Sequence, residues 1–154
     1  MRPFVVLALT LLAVAVTATG CGDGKPARLS VVPVRGKVMR GGQPLAGAQV
    51  MLHPDASSAA KLGSLRPNGT TASDGTFSLT TYENNDGAPE GTYQATVIWP
   101  DEAYQPRTPE EREDFHTGAP KPDKLQGRFQ DPARSGLTAT VSASTPELTL
   151  ELPW

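Results

Sequence analysis

Val34-Arg35-Gly36-Lys37-Val38-Met39-Arg40-Gly41-Gly42-Gln43-Pro44-Leu45-Ala46-Gly47-Ala48-Gln49-Val50-Met51-Leu52 decides how the chain is read. Val32, Val34 and Val38 share one parity, and Arg35 and Lys37 take the other. Period-two alternation places the valines on a buried sheet face and the cations in water. Gly41-Gly42 and Pro44 interrupt the pattern, and Ala48, Val50 and Leu52 resume it with Gln49 and His53 opposite. This predicts a strand, a tight glycine-rich turn and a second strand, the opening hairpin of a small antiparallel β domain.

Composition agrees. The 154 residues suffice for one domain, and a hydrophobic fraction of 38% gives a modest core. Fifteen glycines and 15 prolines suit many turns between short strands and argue against a helical bundle. A formal charge of −2 without a basic cluster gives no electrostatic footprint for nucleic acid. One cysteine excludes an intrachain disulfide, and two histidines leave little for a zinc site.

Arg2, the apolar run Phe4 to Val16 and the small residues before Cys21 read as a secretory leader over 1–20. The run is short for a membrane-spanning helix. Ala18-Thr19-Gly20-Cys21 resembles the lipobox of bacterial lipoproteins, with Ala18 where leucine is usual. That resemblance implies that Cys21 is lipidated and becomes the first mature residue, anchored by its acyl chains to a bacterial membrane. Residues 21–30, with Gly22, Gly24 and Pro26, read as the lipidated cysteine and a flexible tether, followed by one domain over 31–154.

Within that domain Pro54 to Pro67 reads as a loop, Asn68 to Ala72 as a short strand and Ser73-Asp74-Gly75 as a tight turn. Phe77 and Leu79 alternate with Thr76, Ser78 and Thr80 as the next strand. After a polar loop, Tyr93, Ala95, Val97 and Trp99 line the inner face of the longest strand. Pro100 to Lys124 has little strand character, and loops of that length are usually functional or disordered. Inside it Thr108-Pro109-Glu110-Glu111 carries a cap residue, proline at the first helical position and glutamate three after the cap, so a short helix is expected through Phe115. Leu137, Ala139 and Val141, then Leu148, Leu150 and Leu152, mark the last two strands. The total is an all-β, seven-stranded antiparallel sandwich.

Val34-Arg35-Gly36-Lys37-Val38, Gln43-Pro44-Leu45-Ala46-Gly47-Ala48-Gln49-Val50 and Thr71-Ala72-Ser73-Asp74-Gly75-Thr76-Phe77 resemble the hallmarks of carboxypeptidase regulatory-like domains, also called transthyretin- or prealbumin-like. Gly91-Thr92-Tyr93 matches their next element. Tyr82 to Gly91 and Leu125 to Leu137 further resemble small bacterial envelope lipoproteins built on this module. The likeness runs from Val34 to Leu152, with Pro100–Lys124 as an insert. It implies a β-sandwich of about seven strands that is usually non-catalytic, and it brings no catalytic residues.

Chemistry on related sandwiches finds few footholds. A 5-hydroxyisourate hydrolase would need clustered histidines and a Tyr-Arg-Gly-Ser terminus, whereas this chain ends Glu151-Leu152-Pro153-Trp154. The two-tyrosine, two-histidine iron site of intradiol dioxygenases lacks its paired His-x-His, and His53 and His116 read as ordinary exposed side chains. An isopeptide crosslink from Lys37 would want a late-strand asparagine, but the asparagines are Asn68, Asn84 and Asn85. No Gly-x-Ser-x-Gly elbow occurs. Glu83, Asp86 and Glu90 with Asp74 lack the dense oxygen set calcium needs, and Asp74 reads as a turn residue. Asn68-Gly69-Thr70 matches a glycosylation sequon and is read as a turn. Tyr93 and Trp99 fall on the core parity; Phe129 reads as a plug for an open end; Tyr104 and Trp154 are freer and stand as possible ligand contacts.

The sequence therefore predicts a lipid-anchored, non-enzymatic envelope module with no catalytic residues, no metal and no cofactor. Recognition of an envelope protein or glycan is expected from its loops Ala56–Arg66, Tyr82–Glu90 and Pro100–Lys124. A carbohydrate-binding module is the first alternative and a small hydrolase the second.

Overall fold

A computed structural model describes residues 28–144 and 147–153. The expectations for the leader, Cys21, most of the tether and Trp154 lie outside the described residues.

Eight strands and two short helices follow in the order β1 (Arg35–Arg40), β2 (Gln43–Pro44), β3 (Gln49–Pro54), α1 (Ala59–Leu62), β4 (Asn68–Thr70), β5 (Thr76–Ser78), β6 (Gly91–Ile98), α2 (Pro109–His116), β7 (Leu137–Val141) and β8 (Glu147–Leu152). In one sheet β1 is central, with β8 along one side and β5 and then β2 along the other. The second sheet runs β4-β3-β6-β7, antiparallel throughout. The alternation read from sequence holds: Val34 and Val38 face inward on β1, Val50 and Leu52 on β3, Tyr93, Ala95 and Val97 on β6, and every leucine of β8. Together they form one core between the sheets.

The strand topology departs from the sequence reading in two ways. The strands number eight where seven are expected, the addition being two-residue β2, which folds back on β1 through Gly41-Gly42 at φ 55° and 76°. And β1 and β3 do not form a hairpin. β3 belongs to the opposite sheet, and residues 45–48 carry the chain across. Thr71 fastens that corner: its buried hydroxyl donates to the Leu45 carbonyl at 2.6 Å and accepts from Ala48 N–H at 2.8 Å. The partner β1 takes instead is β8, in parallel, from Arg35 opposite Glu147 to Arg40 opposite Leu152. Periodicity assigns faces and is silent about neighbours, so this parallel pair breaks the fully antiparallel expectation.

Gly36 is buried on the inner face of β1, directly opposite Phe77 of β5. The Phe77 ring occupies the space its side chain would take, and a Cβ there would also sit 2.7 Å from the Leu148 carbonyl oxygen. Tyr93 is sealed from water, and its hydroxyl donates to the Pro89 carbonyl at 2.6 Å; burial first, then the neighbouring Tyr82, pushes its phenol up to about 12. Phe129 is buried and its carbonyl accepts from Val97 N–H at 3.0 Å, so 123–130 flanks β6 where β7 has peeled away. Trp99, expected in the core, is only partly buried. It lies past the end of β6, packs against the core rim and donates its indole N–H to the Ala46 carbonyl at 2.9 Å.

The strand directions give the sandwich two unlike ends. Residues 28–34, 55–66, 81–90 and 142–144 gather where β1, β6 and β8 begin. Gly41-Gly42, Ser73-Asp74-Gly75, Trp99 and the 100–124 insert lie at the other.

Candidate functional site

At the first end the entering chain is strapped to the loop before β6. Val32 and Ala88 exchange both backbone hydrogen bonds, at 2.9 and 3.1 Å. Leu29 N–H donates to the Tyr82 hydroxyl at 3.1 Å, and the Arg28 guanidinium lies 5.1 Å from the Tyr82 ring centre and 2.9 Å from Glu83. The ion pair is exposed and adds little by itself. Gly87, at φ +97°, lets the strap pass; a Cβ there would run into the Val32 carbonyl. The loop is built around Asp86, whose carboxylate accepts from the backbone N–H of Thr81 at 2.7 Å and of Tyr82 and Glu83 at 3.0 Å. Burial opposes its ionisation, but the three donors outweigh it and hold its pKa below the ordinary 3.8. Glu90 accepts from Ala143 N–H at 2.8 Å. These acids are structural, and among the described residues no group of three histidine, cysteine or carboxylate side chains stands ready to hold a metal.

The opposite end carries the insert. Its neck is a bridge between Pro100 and Asp123, reinforced by Asp101 N–H donating to the Pro122 carbonyl at 2.9 Å and by ion pairs Lys124–Asp101 at 3.4 Å and Lys121–Glu102. Asp123 organises the base, accepting from the backbone N–H of Trp99, Leu125 and Gly127 at 2.8, 3.0 and 2.9 Å. Lys124 lies 4.8 Å above the Trp99 ring. Beyond the neck sits α2, formed as its sequence predicts. The Thr108 hydroxyl accepts from Glu111 N–H at 3.1 Å, Glu111 reaches back to Thr108 N–H at 3.0 Å, and Pro109 opens the first turn.

Tyr104, one of the two possible contact residues, is half-buried in this head, its ring centre 6.4 Å from that of Phe115. Phe115 is itself 39% exposed. Tyr104 and Phe115, with Glu111, Asp114, Pro120 and Pro122, border an open hollow of about 150 Å³. Burial and then Glu111, with a further push from Asp114, raise the Tyr104 phenol above its ordinary value, while Arg107 pulls the other way. The sequence signal for this grouping was the i, i+3, i+4 spacing of Glu111, Asp114 and Phe115, which puts all three on one helix face.

Two further concavities lie on the sandwich. A groove of about 740 Å³ runs beside the β4–β5 seam, bordered by Arg35, Thr70, Ser78, Asn84, Asn85 and Glu147 among others. A smaller one, about 260 Å³, lies on the outer face of β3 and β6 around Met51, His53, Thr96 and Ile98. There His53 is half-buried and bonded to Thr96 at 3.1 Å; burial, then Arg66, lowers its pKa. Among the described residues that border them, His53 and Thr96 are in contact, and no third group is bonded to orient the imidazole.

The chain matches no protein-family model, no curated protein and no solved structure. Among the described residues, no helix is long and apolar enough to cross a membrane.

Proposed function

We propose that this chain is a lipid-anchored, non-enzymatic module of a bacterial cell envelope. On this reading its β-sandwich, of the carboxypeptidase regulatory-like kind, holds a recognition surface away from the membrane. The observation that carries the reading is the strap at Arg28–Val32. Seven chain steps separate Cys21 from Arg28, a span of at most about 25 Å. A lipid on Cys21 would keep the Tyr82–Ala88 end within that reach of the bilayer, and the 100–124 insert lies at the opposite end of the sandwich. Rigid scaffold behind, irregular chain in front is the usual division of labour in binding modules.

Mass spectrometry of the mature N-terminus tests the anchor, with a Cys21 carrying a diacylglycerol and an amide-linked acyl chain as the expected species. An unlipidated terminus at any other residue removes the localisation. Capture from envelope extract by the full chain, compared with a chain lacking 102–121, tests the display; equal capture by both removes the insert from the reading.

A carbohydrate-binding module is the second reading, supported by the 740 Å³ groove and its amide and hydroxyl side chains. Phe77, the aromatic residue in its wall, is only 4% exposed, so a stacking platform for a sugar face is lacking there. A glycan array that the parent chain does not bind would end it, and binding unchanged by Asn84→Ala and Asn85→Ala would remove the groove from it.

A further inference from the structure

The hollow on the insert has a definite chemistry. Tyr104 and Phe115 supply two aromatic walls, tilted by 59° to each other, and Pro120 and Pro122 supply apolar, rigid ones. Glu111 and Asp114 stand at the same rim. The surrounding head, residues 101–121, holds six acidic side chains against three basic ones. Two of those bases are already engaged or offset: Lys121 pairs with Glu102, and Arg107 lies in the field of Glu111. Glu111 is itself occupied at the helix cap, accepting from Arg107 N–H and Thr108 N–H, so Asp114 is the carboxylate left facing the rim. Its field reaches the Tyr104 hydroxyl. Aromatic faces and carboxylates attract the same species, a cation with an apolar stem.

Size and position narrow the occupant. About 150 Å³ admits one long side chain and encloses no drug-sized molecule. The head buries none of α2 and offers Phe115 to water, so a partner can approach without displacing anything from the core.

We propose that the Tyr104–Phe115 hollow is a docking site for a single lysine or arginine side chain presented by a partner protein. The cation lies in the mouth of the hollow, against the Tyr104 and Phe115 rings, with its charge toward Asp114 and its methylenes along Pro120 and Pro122. This deepens the display reading, since it names what the outward surface recognises, and it rests on that reading for its biological setting.

The test uses the full chain in a nonionic detergent and three capped tripeptides, Gly-Lys-Gly, Gly-Arg-Gly and Gly-norleucine-Gly, followed through the ring resonances of Tyr104 and Phe115. The two cationic peptides are expected to shift both rings at millimolar concentration and the norleucine peptide to leave them in place. Asp114→Asn should weaken the cationic peptides roughly fivefold and Phe115→Ala should abolish the response. Unchanged core resonances of Tyr93 and Val97 show that each variant is folded. Flat titrations, equal shifts from norleucine, or an Asp114→Asn chain that binds like the parent each overturn the proposal. Stronger binding of free choline than of either peptide also overturns it, as the occupant would then be a lipid headgroup. Cys21 lipidation is scored separately. A lipidated chain with flat titrations would sink the hollow and spare the display, and an unlipidated chain with the expected shifts would do the reverse.

Discussion

In the sandwich, Val38, Leu52, Leu79 and Tyr93 are sealed from water; in the 100–124 insert, α2 buries none of its eight residues. Both regions have defined backbone structure, reached by different means. The body is held by apolar area removed from solvent, at about 25 cal/mol for each Å². The insert is held by local polar devices: a capping box, the Asp123 knot, two ion pairs at the neck and one ring pair. The cap and the hydrogen bonds contribute about 0.5–1.5 kcal/mol each, the exposed ion pairs less, and all act over a few residues. The difference teaches where change is tolerated. The body has one arrangement to defend, whereas the insert can be rewritten without asking anything of the core.

Substitutions should break along this line. Leu52→Ala, at a fully buried position of β3, is expected to cost about 2–5 kcal/mol in urea unfolding, the largest effect considered. A loss under 1 kcal/mol would mean that the two sheets pack loosely. Asp86→Asn at the strapped loop should cost about 1–2 kcal/mol, because one amide oxygen replaces two carboxylate oxygens serving three donors. Since Asp86 has a lower pKa folded than unfolded, its stabilisation is complete above the ordinary 3.8 and is lost as pH falls through the folded value. The parent should therefore lose stability on acidification through that window, and the Asn variant should lose less. Parallel acid titration curves for the two would refute the assignment.

Thr108→Ala comes next, at about 1 kcal/mol of helix stability with no shift of the global midpoint. Hydrogen exchange should accelerate at Arg112 and Glu113 while the amides of β6 stay protected. If β6 exchanges faster too, insert and body are one cooperative unit. Least damaging of all, replacing 102–121 by two glycines should not lower stability, since the ends it joins, Asp101 and Pro122, are already hydrogen-bonded and a shorter loop costs less to close. A chain unfolded by that deletion would erase the comparison.

Much of the body was legible because period-two alternation reports burial directly: Val34, Val38, Val50, Leu52, Ala95 and Leu150 all face the core as their parity requires. The α2 cap was legible as well, because Thr108, Pro109 and Glu111 are adjacent in sequence and their bonds are local. The neighbours of each strand were not. Nothing in Arg35-Gly36-Lys37-Val38 states that Leu148 and Leu150 will lie beside it, and nothing in Gly41-Gly42 reveals that the next full strand will cross to the other sheet. Those outcomes follow from distant packing and from the Thr71 hydroxyl at the corner. At the insert, Tyr104 can be singled out alone, but its pairing with Phe115 depends on how residues 105–108 lead into α2, and no periodicity marks that path. The single-turn α1 inside 54–67 leaves no mark in the sequence, because four residues carry no periodicity to detect.

The parallel seam between β1 and β8 has a consequence for how quickly the domain assembles. Arg35 meets Glu147 and Arg40 meets Leu152, so the central strand of one sheet waits for a segment more than a hundred residues further on before its second side is filled. Closing so long a segment adds an entropic toll that local turns avoid, and all-β domains dominated by distant pairings fold in about milliseconds to seconds. Until Glu147–Leu152 arrives, β1 has only the two-residue β2 and the three-residue β5 beside it. A nascent chain of this sequence thus leaves one side of β1 unfilled until Glu147–Leu152 has been made.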